Sequence, residues 1–196
     1  MKDLFTPEFL ASLCHDLRGP AGALGTWVHV LGSGKASPET QARAITAMAT
    51  DVRVMGGFIE QLSLLGQVAA RTDANLVTLD LVPLLRSAQS AAAGDTDLRL
   101  RTEALEPVLE VRGEAETMQQ IFALLGARAL TAAGGERVVT LRRTGDSAEV
   151  SLESELKIRS LGAALLERLT RVQQGDFERS LVASRDVVRL RFPLAS

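Results

Sequence analysis

A chain of 196 residues can bury one or two real cores, and 46% apolar with 23% charged residues is the balance of an ordinary globular protein. A net charge of -2 and a pI near 5.8 argue against a nucleic-acid binder, which carries a basic stripe or patch. The lone cysteine, Cys14, excludes an internal disulfide and a thiolate metal cluster, which points to a reducing cytoplasm, and no apolar run nears the roughly 20 residues that span a bilayer. The first residues, MKDLFTPEF, lack the apolar core of a signal peptide. The chain starts almost directly on its first helix, which leaves no room for a sensor domain if the sequence is complete.

Thr6-Pro7-Glu8 is a helix start: a capping hydroxyl, a proline at the first helical position and an acid at the positive end of the dipole. From Phe9 to Leu31 the apolar positions Leu10, Leu13, Leu17, Pro20, Leu24, Trp27 and Leu31 repeat at alternating spacings of 3 and 4, the seam of a packed helical bundle. In that frame His15 takes the outermost position and His29 a similar one. Gly19 and Pro20 interrupt the helix just past His15 and are expected to bend it. After Gly32-Ser33-Gly34 the start signal recurs as Ser37-Pro38-Glu39. A second helix then continues to about Ala70, with Ile45, Met48, Val52, Met55, Ile59 and Leu62 at the same spacing. A two-helix hairpin cannot bury both stripes alone, and pairing two copies into a four-helix bundle solves that. A homodimer is therefore expected. The boundaries expected are 1–72 for the helical domain and 73–196 for a second domain, with a polar joint over Arg71–Val77.

The second domain mixes helical and alternating patterns. Asp80 can cap a helix running to Ala93. LRLRT (98–102) and PVLEVRG (107–113) alternate like strands, and a helix is expected from Glu114 to Ala133. ERVVTLRRT and AEVSLES flank a Gly145-Asp146 turn, with Arg142 and Arg143 expected on a solvated strand face or, alternatively, at a partner contact. A helix over Leu156–Gln174 and a closing strand VVRLRFPL complete an α+β fold in which helices cover one mostly antiparallel sheet.

FLASLCHDLRGP resembles the phosphoacceptor helix of bacterial sensor histidine kinases: a histidine, an acid, two more residues, Thr or Asn, then proline. TLDLVPLLRSAQ is similar to that family's entry into its ATP-binding domain. VRGEAETMQQIFALLGARAL follows its asparagine-bearing helix, and SLGAALLERL with VVRLRFPLA resembles its glycine-rich helix and final strand. The resemblance implies a dimerising, phosphoaccepting helical hairpin followed by a histidine-kinase-ATPase-like α/β sandwich. It makes His15 the phosphoacceptor and Asp16 the general base or orienting acid, with Arg18 and Gly19 in the partner-binding surface.

The departures from the pattern bear on function. Where the family has asparagines at the nucleotide site, this chain has Leu124 and Arg128, and neither side chain offers magnesium an oxygen ligand. SLESELKIRS lacks the adenine-recognising Asp-x-Gly-x-Gly, only Gly162 remains of the phosphate-cradling glycines, and the lid segment is short. The nucleotide site thus reads as degenerate, with no stably bound cofactor and no metal. Four residues after His15, Gly19 replaces the side chain that would orient water for dephosphorylation. A neutral imidazole next to a carboxylate remains a competent phosphoryl acceptor. The expected function is a histidine phosphotransferase of a two-component phosphorelay. It would work between response-regulator receiver domains, possibly with a sensor histidine kinase as a further partner, and the receivers would supply the aspartates and Mg2+. Two alternatives stand beside it: a pseudokinase adaptor that binds a receiver or kinase without carrying phosphate, and a divergent active kinase. Neither nucleic acid nor membrane is expected as a partner.

Overall fold

The computed structural model describes residues 6–70, 75–93, 98–127, 130–131 and 135–195. The chain separates into two compact units, Met1–Ser63 and Leu64–Ser196. The break falls within the second helix, ahead of the expected joint, of which Arg71–Ala74 lie outside the described residues.

The first unit is a helical hairpin of α1 (Pro7–Gly32) and most of α2 (Pro38–Ala70). Thr6 caps α1 by accepting a hydrogen bond from the Phe9 amide at 3.2 Å, and Pro7 sits where no amide is needed. Ser37 caps α2 likewise, through the Thr40 amide at 3.2 Å. Leu13, Pro20, Ala44 and Phe58 are buried. The other face of α2 is not: Ile45, Val52 and Ile59, seven residues apart, are 63%, 58% and 66% exposed in the single chain.

In the second unit five strands form one sheet in the order β2 (Leu98–Ala104), β4 (Gly135–Thr144), β5 (Ser147–Ser154), β7 (Arg185–Pro193), β6 (Asp176–Val182). Only β2 and β4 run parallel; the rest pair antiparallel. A two-stranded ribbon, β1 (Val77–Asp80) with β3 (Glu110–Gly113), forms a second sheet, linked to the end of β7 by the Val111–Leu194 bridge. Three helices, α3 (Leu81–Ala92), α4 (Ala115–Gly126) and α5 (Ser160–Val172), complete the unit. Alternation puts Val139, Leu141, Val150, Leu152, Val188, Leu190 and Phe192 on the buried side of the sheet, and the helices contribute Leu81, Leu85, Ile121, Phe122, Leu125, Leu165 and Leu169 to the core. Asp80 ties the ribbon to α3, since its Oδ1 accepts from the amides of Val82 at 3.1 Å and Leu109 at 3.0 Å.

Four sequence expectations are corrected. Helix α4 stops at Gly126 rather than Ala133, because Ala127 turns extended (ψ 133°) and Leu130 and Thr131 leave the helical path to become buried. The alanine-rich run prolongs the periodicity, but tertiary burial outweighs helix propensity there. Helix α5 begins at Ser160 instead of Leu156, since Ile158 is taken up in a β-bridge with Thr131. Strand β3 starts at Glu110 rather than Pro107. Strands β1 and β6 were not expected: β1 has only four residues, and the β6–β7 turn is built from Ala183 and Ser184 at φ 47° and 68°, without the glycine or asparagine that marks such turns.

Candidate functional site

The bundle seam that buries Leu13 turns His15 outward, and its side chain is 83% exposed. Asp16, the next residue, is tucked in at 20% exposure, with Oδ1 3.6 Å from His15 Nδ1. That is longer than a hydrogen bond but within range of charge interaction. Arg18 and Gly19 are exposed one turn further on, and a methyl at Gly19 would meet nothing within 4 Å. Pro20, having no amide hydrogen, cannot donate to the Asp16 carbonyl one turn back. His15, Asp16, Arg18 and Gly19 thus share one open stretch of α1.

The positions that the resemblance assigns to a nucleotide have a different character. Leu124, where the resemblance expects the first asparagine, is a buried apolar side chain at 6% exposure; Arg128, matched to the magnesium-ligating asparagine, lies outside the described residues. Gly162, in the first turn of α5, is covered: a methyl there would stand 2.6 Å from Leu130 Cδ1. Five residues, Glu155–Arg159, join β5 directly to α5.

Two ionic clusters in this unit were not legible from sequence. Glu149 is 1% exposed and held between Arg142 (Nη2 to Oε1, 2.6 Å) and Arg191 (Nε to Oε2, 2.9 Å), so Arg142 is more than a solvated strand residue. Burial acts to raise the Glu149 carboxyl, but the hydrogen bonds and charges of Arg142 and Arg191 outweigh it and hold the group below its usual range. Asp186 is lowered on the same terms: burial opposes, and hydrogen bonds from Arg179 and the Ile158 amide prevail. Cross-strand register creates both clusters, and one-dimensional spacing does not show it. Among the described residues no group of three or more His, Cys, Asp or Glu is placed to hold a metal, and no helix is long and apolar enough to cross a membrane.

No protein-family model matches the chain, and no curated protein matches it by sequence. Solved structures do. The Acinetobacter baumannii histidine kinase AdeS is 15% identical, covers 93% of this chain with 98% of its own and superposes with a TM-score of 0.63. The histidine kinase ThkA, solved in complex with the response regulator protein TrrA, is 13% identical with a TM-score of 0.68, over 96% of this chain and 62% of ThkA. Full-length ShkA in complex with AMPPNP is 18% identical with a TM-score of 0.55, over 98% of this chain and 47% of ShkA. The chain has the two-part fold of these histidine kinases, helical hairpin and ATPase-like sandwich together.

Proposed function

We propose that this protein is a histidine phosphotransferase of a two-component phosphorelay, a homodimer that carries a phosphoryl group on His15 between response-regulator receiver domains. The observation that carries this reading is the contrast between its two halves. His15 keeps an exposed imidazole beside a half-buried Asp16, while Leu130 packs against Gly162, the glycine that the resemblance assigns to the nucleotide site. In this reading the histidine is loaded from a phosphorylated receiver rather than from ATP. That ThkA was solved with a response regulator supports a receiver as the partner.

In the proposed transfer the Nε2 lone pair of His15 attacks the phosphorus of a receiver aspartyl phosphate. The P–N bond forms as the P–O bond to the aspartate breaks, and the carboxylate leaves with the electron pair. Asp16 balances the positive charge that appears on the ring while Nδ1 keeps its proton. Mg2+ and the acceptor aspartate belong to the receiver. Catalysis is then positioning and charge stabilisation, which an open helix face and a partner's acidic pocket can provide between them. The unpartnered stripe Ile45, Val52 and Ile59 supports the dimer.

The test is to incubate the protein with a panel of phosphorylated receiver domains, and separately with labelled ATP and magnesium. Label arriving from a receiver but not from ATP supports the phosphotransferase. Label from ATP would make it a kinase. Binding of a receiver with no label on His15 would make it an adaptor.

A further inference from the structure

The connection that leaves α4 and the connection that enters α5 are stitched to each other. The Arg159 amide donates to the Leu130 carbonyl at 2.8 Å, Thr131 and Ile158 form an antiparallel bridge, and Arg159 Nε donates to the Thr131 carbonyl at 2.8 Å. From the sheet, the guanidinium of Arg137 reaches the same place. It donates to the carbonyls of Ala127 at 2.7 Å and Leu125 at 3.3 Å, and to Thr131 Oγ1 at 2.7 Å. On the far side Ile158 is anchored twice more, its amide to Asp186 at 2.8 Å and its carbonyl to Arg179 at 2.7 Å. Leu130, Thr131, Arg137 and Ile158 are 0%, 2%, 1% and 0% exposed. An arginine this buried is rare, and here both terminal nitrogens of its fork are used, Nη1 by the Leu125 and Ala127 carbonyls and Nη2 by Thr131 Oγ1.

We infer that this domain carries its own occupant of the nucleotide position: a strap of Leu130 and Thr131, laid over Gly162 and latched by Arg137 and Arg159. The inference deepens the phosphotransferase reading but rests on it only for the identity of the position. Loss of magnesium ligands alone would leave an empty cleft lined by polar groups. Here Leu130 fills the space over the glycine, and Arg137 satisfies the last carbonyls of α4 that would otherwise be buried without donors. On this inference the contacts that hold the strap need no ligand, and the surface a receiver meets does not depend on nucleotide.

Three measurements on the full chain test this. First, hydrogen exchange of the wild type: the amides of Ile158 and Arg159 should exchange as slowly as those of the central strands β4 and β5. Exchange as fast as at the Ala183–Ser184 turn would overturn the strap. Second, thermal melts with ATP and magnesium should show no shift. A site with a Kd of about 100 µM would raise the midpoint by roughly 5–15 °C at about 10 mM nucleotide, and such a shift would overturn it. Third, Arg137→Met, close to isosteric but unable to donate, should melt roughly 5 °C or more lower and should release protection at Leu130, Ile158 and Arg159 together. Unchanged melting and unchanged protection would overturn the latch. If the variant does not fold, exchange in the wild type still decides. Labelling of His15 by a receiver is scored separately, so failure of the strap leaves that result standing and the reverse also holds.

Discussion

Replacing Ile59 by alanine should weaken the proposed dimer, and the size of the effect follows from exposure. Full burial of an isoleucine is worth about 2–3 kcal/mol, and Ile59 is 66% exposed in the single chain, leaving about 1.5–2 kcal/mol to be gained at an interface. Two-fold symmetry counts every change twice, so Ile59→Ala should cost about 3–4 kcal/mol of association, a factor of roughly 10²–10³ in the dimer Kd. Ile59→Asp should do more, because it also buries two unpaired carboxylates facing like charge. Sedimentation equilibrium over a dilution series reads the constant directly. Leu181→Ala is the control: this side chain is 76% exposed, yet lies on the β6–β7 hairpin and off the α2 stripe. Equal constants for wild type and Ile59→Ala, or an equal loss with Leu181→Ala, would refute the assignment of the stripe.

Gly19→Ala should stabilise the hairpin by about 0.5–1 kcal/mol in urea melts, since the site is helical and open and glycine there only adds backbone entropy to the unfolded chain; a destabilised variant would mean that the helix needs glycine at this point. For acid stability the sign follows from Glu149: a carboxyl held below its unfolded value of 4.5 adds stability that is complete above that pH and drains as pH falls through the folded value. Wild-type melting should therefore drop on the acid side, and Glu149→Gln should be less stable at neutral pH with a flatter acid limb; parallel acid limbs would contradict the paired carboxylate. Exchanging Ala183-Ser184 for Asn-Gly should raise stability by about 1 kcal/mol, because both residues hold positive φ that Asn and Gly adopt cheaply; no gain would mean that the turn is not strained.

Much of the helical half was legible because its signals are local. Thr6-Pro7 and Ser37-Pro38 mark the helix starts, and the alternating spacing of apolar residues puts His15 outside. In the second half the strands with full alternation, β4, β5 and β7, were equally plain. The misplaced ends of α4 and α5 and the role of Arg137 share one cause: long-range contacts decide them. Leu130 follows the helical period of α4, yet burial over Gly162 draws it off the helix, and Ile158 is pulled from α5 by its bridge to Thr131. Arg137 reads as one of several strand arginines, and only the fold reveals that it is buried and bonded to carbonyls 10 and 12 residues earlier. Asp16 was nameable from its place beside His15, but its tucked side chain, in contrast to the open imidazole, needed the structure.

The most direct measurement is single-turnover transfer from a phosphorylated receiver domain to this protein in the absence of ATP, compared between wild type and His15→Ala. Expected is label on the wild type that is labile to acid and stable to alkali, as a phosphoramidate is, with none on His15→Ala. Asp16→Asn should slow the transfer without abolishing it. Equal labelling of wild type and His15→Ala, or label with the alkali lability of an acyl phosphate, would contradict a phosphoryl group carried on His15.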